Sequence, residues 1–198
     1  MFPNVILAAM SDLNVRILLG LSTSALALNW LLTSRLTIED YLRNLFSAKG
    51  LVIALFCIII FLQLIDVIRI PFNDSSWDPL VIWLGLFIHF TGSLFALWAR
   101  FIMKSSWGPP AQHNIARQKK LVTGGPFSFS RNPIYIGLFI MFIGFELALG
   151  SYLILLAIPL FLLINKAVLV EEKLLGKYFG SDYEVYKKRV PRYLPFKN

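Results

Sequence analysis

The stretch PIYIGLFIMFIGFELALGSYLILLAIPLFLLINKAVLV, from Pro133 to Val170, runs for 38 residues with only Glu146 and Lys166 charged. A helix crossing about 30 Å of hydrocarbon needs roughly 20 residues at 1.5 Å each. This run is far too long for one crossing and just sufficient for two, with Gly150 and Ser151 marking a tight turn. Working outward, apolar runs at about 14–33, 50–70 and 80–103 supply three more crossings. The pattern predicts an all-α integral membrane helical bundle of about five spans, with spans four and five forming a helical hairpin. Residues 1–198 read as a single membrane domain, three amino-terminal spans in 1–103 and the polar, chemistry-bearing stretches in 104–198.

Composition agrees. Of 198 residues 57% are hydrophobic, 15% aromatic and only 15% charged, and mean hydropathy is +0.68, outside the range of soluble domains. The polar stretches, about 28 residues each, are too short for a separate soluble core. Cys57, the one cysteine, falls inside an apolar run, which excludes a disulfide framework and a thiolate metal cage. His89 and His113 are the only histidines and are not spaced as a ligand pair, so no metal is expected.

The net charge of +8 would suggest nucleic acid in a soluble protein. With five spans and the carboxyl terminus inside, however, 17 of the 19 Lys and Arg residues fall on the cytoplasmic side and only Arg16 and Arg69 outside. The charge therefore reads as topology, with the amino terminus outside, and no nucleic-acid partner is expected. Anionic lipid headgroups are the natural neighbours of such a face.

Within the spans, Asp66 and Arg69 stand three apart and read as a snorkelling pair at the outer interface. His89 shares a face with Gly85, Gly92 and Ala96, a small-residue stripe that lets helices approach, and reads as an interhelical hydrogen-bonding residue. Glu146, just before the outer turn, reads as an interfacial carboxylate. Pro159 is expected to kink span five. Thr37-Ile-Glu-Asp40 looks like the start of a short interfacial helix bearing Leu42, Leu45 and Phe46.

Two polar stretches carry the chemistry. The first, Lys104 to Arg131, holds five cations and no acid, and leads into GGPFSFSRNPIYIG, Gly124 to Gly137. Gly124, Gly125 and Pro126 form a turn whose backbone can approach a ligand. Arg131 offers a planar fork for a carboxylate or phosphate, and Pro133 suits the first turn of span four. The second, Glu171 to Phe196, begins where span five leaves the bilayer. Acids near a helix exit oppose its dipole, so Glu171 and Glu172 need a compensating cation, or a ligand's hydroxyls and ammonium. Phe179-Gly180 ends the helix, and Tyr183 and Tyr186 follow on an amphipathic cover.

The combined pattern resembles the isoprenylcysteine carboxyl methyltransferases, part of a wider group with the phospholipid methyltransferases. It consists of Gly-Pro-aromatic, Arg-Asn-Pro-x-Tyr-x-Gly, Glu-Glu, Phe-Gly-x-x-Tyr-x-x-Tyr and Val190-Pro191-Arg192, over about Leu121 to Pro195. The resemblance implies a membrane enzyme that binds S-adenosylmethionine at the cytoplasmic mouth and takes a lipophilic acceptor from the bilayer. It implies a cofactor site of Leu121, Val122, Gly125, Arg131, Pro133 and Tyr135 on one side and Glu171 and Glu172 on the other. Arg131 and Asn132 would be the catalytic pair and Arg192 would stand near the acceptor. The usual motif has His where this chain has Asn132, which hydrogen-bonds but cannot titrate.

Methyl transfer from a sulfonium is a direct displacement that depends on alignment and exclusion of water. A carboxylate acceptor, with a pKa of about 3.5, is ionised at neutral pH, whereas an ammonium with a pKa around 10 must lose a proton first. Asn132 thus tilts the reading toward an acceptor nucleophilic as it stands, a carboxylate or thiolate, with the carboxylate of a prenylated cysteine as the first expectation. The alternatives are a phospholipid amine methyltransferase, an NADPH-dependent membrane reductase, and a non-catalytic membrane protein.

Overall fold

The computed structural model describes residues 12–33, 42, 45–72, 79–103 and 120–193. Five apolar helices follow in order: α1 Asp12–Thr33, α2 Ala48–Leu64, α3 Pro79–Met103, α4 Pro133–Leu149 and α5 Ala157–Phe179. A short polar helix, α6 Ser181–Arg189, comes last. Three elements are long and apolar enough to cross a membrane: α1, α3, and α5 together with the 3₁₀ turn that leads into it; α2 and α4 are shorter apolar helices. The chain is an integral membrane helical bundle. The amino-terminal residues, the Thr37–Asp40 helix start and most of the first polar stretch lie outside the described residues.

Local sequence sets most boundaries. Ser47 caps α2 by accepting a hydrogen bond from Gly50 N at 3.0 Å. The second apolar run reads as helical to residue 70, but α2 stops at Leu64 because Asp66 adopts φ +63°. The chain beyond it is extended and pairs with the α4–α5 turn through Tyr152 N to Ile70 O at 2.8 Å and Phe72 N to Gly150 O at 2.9 Å. Gly150 ends α4 in the left-handed conformation, where a side chain would be strained. Pro159 lies in the first turn of α5, just after the 3₁₀ segment Tyr152–Leu156, where its missing N–H is harmless.

The closest packing is between α3 and α4, not within the α4–α5 hairpin. A Cβ added at Gly85, Gly92 or Gly144 would collide with the backbone of Ala148, Met141 or His89, and one at Gly137 would stand 2.6 Å from Ala96 N. Small residues therefore face each other along both helices, pairing Gly85 with Ala148 at one end and Ala96 with Gly137 at the other. His89, fully buried, bridges three helices: its Nε2 lies 2.6 Å from Ser22 Oγ of α1 and its Nδ1 3.1 Å from Met141 O of α4. α5 meets α4 at Phe139–Phe161 and Tyr135–Glu171 and leaves Ile158 and Leu162 outward.

Two polar expectations are corrected at the end of the bundle where α2 and α4 finish. Glu146 is not an interfacial carboxylate; it is fully buried and accepts a hydrogen bond from Gln63 Nε2 at 2.9 Å, a partner on α2 that its own sequence neighbourhood does not announce. Asp66 is not chiefly paired with Arg69, which stands 3.9 Å away, because the turn at residue 66 aims its carboxylate at Arg16, 2.7 Å away. Arg16 and Arg69 also share Asp12, at 3.0 and 3.2 Å.

Candidate active site

At the opposite end, the loop before α4, the carboxyl-terminal part of α5, and α6 with the segment after it converge. Gly125 sits at φ +60° and opens a 3₁₀ turn, Gly125–Ser128, whose Phe127 packs against Ala99 and Ile134. A side chain at Gly125 would also press on Ile102, 3.1 Å away, so this glycine shapes the loop rather than lining the cavity. Tyr186 Oη donates to Phe127 O at 2.7 Å, tying α6 to the turn. Tyr183, Tyr186 and Val190 are buried against Leu121, Leu175 and Phe179, so α6 covers this end through the two tyrosines the sequence singled out.

The segment after α6 is laced to the Ser-Arg-Asn loop. Arg131 N donates to Pro191 O at 2.9 Å. Arg192 O accepts from Ser130 Oγ at 3.0 Å and from Asn132 Nδ2 at 3.1 Å. Ser130 Oγ also accepts from Asn132 N at 3.0 Å. Asn132 occupies the N-cap position of α4 without capping it. Its amide instead donates to Glu172 Oε1 at 3.1 Å as well as to Arg192 O. Both partners are acceptors, which fixes the amide orientation and commits both its protons.

Glu172, 7% exposed, is the hub. Arg192 donates to its Oε2 from Nε at 3.1 Å and from Nη2 at 3.0 Å. Arg131 Nη1 lies 3.2 Å from Oε1 as an ion pair without hydrogen-bond geometry. These cations are the compensation the acidic pair requires, although α5 continues seven residues past Glu172, so burial rather than the helix terminus creates the need. The hydrogen bonds to Glu172 raise the Arg192 pKa. Burial, then the Glu172 charge, pushes the Tyr183 phenol up to about 12. Glu171 turns elsewhere and accepts from Tyr135 Oη at 3.0 Å.

Beside this network is a cavity of about 50 Å³ lined by Leu121, Val122, Arg131, Asn132, Pro133, Tyr135 and Glu171, together with Met103, Phe127, Ile134, Leu175 and Tyr186. Six of the eight residues expected to hold a cofactor line it, and so does Asn132, expected as a catalytic residue; Gly125 and Glu172 do not line it. Arg192 faces Glu172. Residues the sequence reading missed are of two kinds. Ser130 braces Asn132 and was legible as a hydroxyl beside the Arg-Asn pair, whereas Met103 and Leu175 look like ordinary apolar residues until packed.

A sequence profile described as phospholipid methyltransferase matches residues 80–182. The chain belongs to the phospholipid methyltransferase family. The match begins at α3 and so takes in a span that the motif resemblance left out, and it stops before the Val-Pro-Arg segment. The chain is also similar to proteins named protein-S-isoprenylcysteine O-methyltransferase. The one from Schizosaccharomyces pombe is 32% identical over 94 residues, 44% of this chain and 40% of that protein. The rat protein is 31% identical over 136 residues, 65% and 48% of the two chains. The human one is 31% identical over 131 residues, 63% and 46%. The chain thus spans under half the length of the curated relatives it matches.

Proposed function

We propose that this member of the phospholipid methyltransferase family transfers a methyl group from S-adenosylmethionine to the carboxylate of a lipophilic acceptor such as a prenylated cysteine. The observation that carries the reading is the cavity, where Leu121, Val122, Arg131, Pro133, Tyr135 and Glu171 meet from three segments of the chain. The residues suit the cofactor. Arg131 Nε is a buried donor without a hydrogen-bond partner among the described residues, placed to meet a carboxylate. The Glu171 carboxylate suits an ammonium or ribose hydroxyls, and Leu121, Val122 and Leu175 an adenine ring. A nucleoside ligand needs a pocket of roughly 300 Å³ or more, so these side chains must part to admit it.

The bound cofactor would supply an electrophilic methyl; the chain's own residues orient and seal. Arg131 and Asn132, the proposed catalytic pair, are both held on Glu172. Asn132 has no uncommitted amide proton and no titrating nitrogen, so it positions rather than exchanges protons. That favours an acceptor nucleophilic as it stands, a carboxylate, over an amine of a phospholipid, which must first be deprotonated. Gly125 and Glu172 act on the cofactor from behind the lining, through the loop and through Arg131. Arg192 stands at the acceptor side of residues 104–198, the cofactor-binding half of the domain. By the charge distribution this end faces the cytoplasm.

Titration of the detergent-purified protein with S-adenosylhomocysteine and with NADPH tests the reading. The first is expected to give saturable heat and raise the melting temperature, and the second to do neither. If S-adenosylhomocysteine fails, the methyltransferase reading falls; binding of NADPH alone would favour a reductase. Labelled methyl transfer into a mixed extract then separates a prenylcysteine ester from a methylated phospholipid amine.

A further inference from the structure

α5 is apolar from Ile158 to Ile164 and then carries Asn165, half-buried on a helix that faces hydrocarbon. A carboxamide at that depth requires a partner. Among the described residues it has one, Tyr193, whose hydroxyl donates to Asn165 Oδ1 at 2.9 Å. That bond turns Oδ1 toward the phenol and leaves the two Nδ2 donors directed away from it. The Tyr193 ring stands 5.7 Å from Phe161, which stands 5.7 Å from Phe139 of α4. Phe161 is 39% exposed, so this row of rings opens outward through Phe161.

Arg192 and Tyr193, adjacent in the chain, serve opposite sides. The guanidinium grips Glu172 in the polar network, while the phenol reaches the Asn165 carboxamide of α5. Six residues, about 9 Å of helix, separate Asn165 from Glu171 at the cavity. The carboxamide therefore stands about 9 Å along α5 from the cavity, one turn beyond the partly exposed Phe161.

We propose that Asn165, oriented by Tyr193, recognises the methyl acceptor, its Nδ2 donating to an oxygen at the carbonyl-bearing end of an S-prenylated cysteine whose chain lies along Phe161 and Phe139. This rests on the methyltransferase reading and adds a specificity-determining residue to it. A purely hydrocarbon molecule finds the aromatic wall but gains nothing from the carboxamide; an amphiphile with an oxygen acceptor gains both.

The test uses the full chain in lipid nanodiscs and measures separately the affinity for S-adenosylhomocysteine, for an S-farnesylated cysteine, and for farnesane, which lacks the polar end. Asn165→Leu is expected to weaken the farnesylated cysteine about tenfold, with Asn165→Gln recovering part of the loss. Tyr193→Phe, which keeps the ring, is expected to weaken it about threefold. Affinities for farnesane and S-adenosylhomocysteine are expected to stay within twofold. Unchanged affinity for the farnesylated cysteine in Asn165→Leu and Tyr193→Phe overturns the proposal. So does a parallel loss of all three ligands, which would make Asn165 a structural pin for the segment after α6. Should Asn165→Leu not fold, Tyr193→Phe decides alone. A wild-type protein that binds the farnesylated cysteine but not S-adenosylhomocysteine removes the methyltransferase reading instead.

Discussion

Glu171 and Glu172 are neighbours in sequence with different duties. Glu172 is nearly sealed and holds two guanidinium groups and an amide, whereas Glu171 reaches the cavity and takes one bond from Tyr135. Removing the Glu172 charge leaves Arg131, 9% exposed at its side chain, without its counter-ion, a loss in the range of about 3–5 kcal/mol for a buried pair. Glu172→Gln is therefore expected to lower the melting temperature and to weaken S-adenosylhomocysteine at least tenfold. Glu171→Gln is expected to weaken the ligand by a similar factor with the melting temperature nearly unchanged. Calorimetric titration beside a thermal melt separates the two, and equal melting curves for both variants would contradict the division of labour. The sequence made the acidic pair legible as a unit in need of cations. Which acid took them was not, because that depends on the helical rotation that turns Glu172 toward Arg131 and Arg192.

At the scale of helices, the apolar runs announced each of the five apolar helices, three of them long enough to cross a membrane, since length and hydropathy suffice for that. They did not announce partners, because hydrocarbon-facing helices are all alike in hydrophobicity and association is decided by how closely backbones can approach. The stripe of Gly85, His89, Gly92 and Ala96 was visible on α3; its complement, Gly137, Gly144 and Ala148 on α4, was present in the same sequence but was overshadowed by the hairpin reading. The consequence is mechanical: α3 fixes α4, and α4 carries Pro133 and Tyr135 at the site. Gly144→Ala, whose Cβ would strike the His89 backbone, is expected to separate the pair, with overpacking of about 1–3 kcal/mol. A fall in melting temperature accompanied by a weaker hold on S-adenosylhomocysteine checks this. Gly124→Ala, which meets nothing within 4 Å, serves as the neutral control.

At the scale of the whole molecule the two ends of the bundle are closed by opposite devices. The candidate-site end joins α5, the loop before α4 and the segment after α6 through Glu172, which is buried. The other end joins α1 to the turn after α2 through Asp12, Arg16, Asp66 and Arg69, with side chains of Asp12, Asp66 and Arg69 about half-exposed. The sequence showed those four residues but not their union, since it required α1 and the end of α2 to meet and Asp66 to leave the helix. The hydrogen bond from Arg16 holds the Asp66 carboxyl below its usual range. A group with a depressed pKa stabilises the fold fully above its unfolded value, about 3.9, and loses that contribution as pH falls through the lower folded value. Melting curves of wild type and Asp66→Asn are therefore expected to differ by a constant amount at neutral pH and to converge on acidification below about pH 4. Taking the difference between the two proteins cancels the carboxylates remote from this network, and Asp12, which shares Arg16 and Arg69, is the one that stays coupled to the change. Because Asp66 is exposed to solvent and its ion pairs are screened, the gap is also expected to narrow in high salt, whereas the melting effect of Glu172→Gln at the buried end is expected to persist.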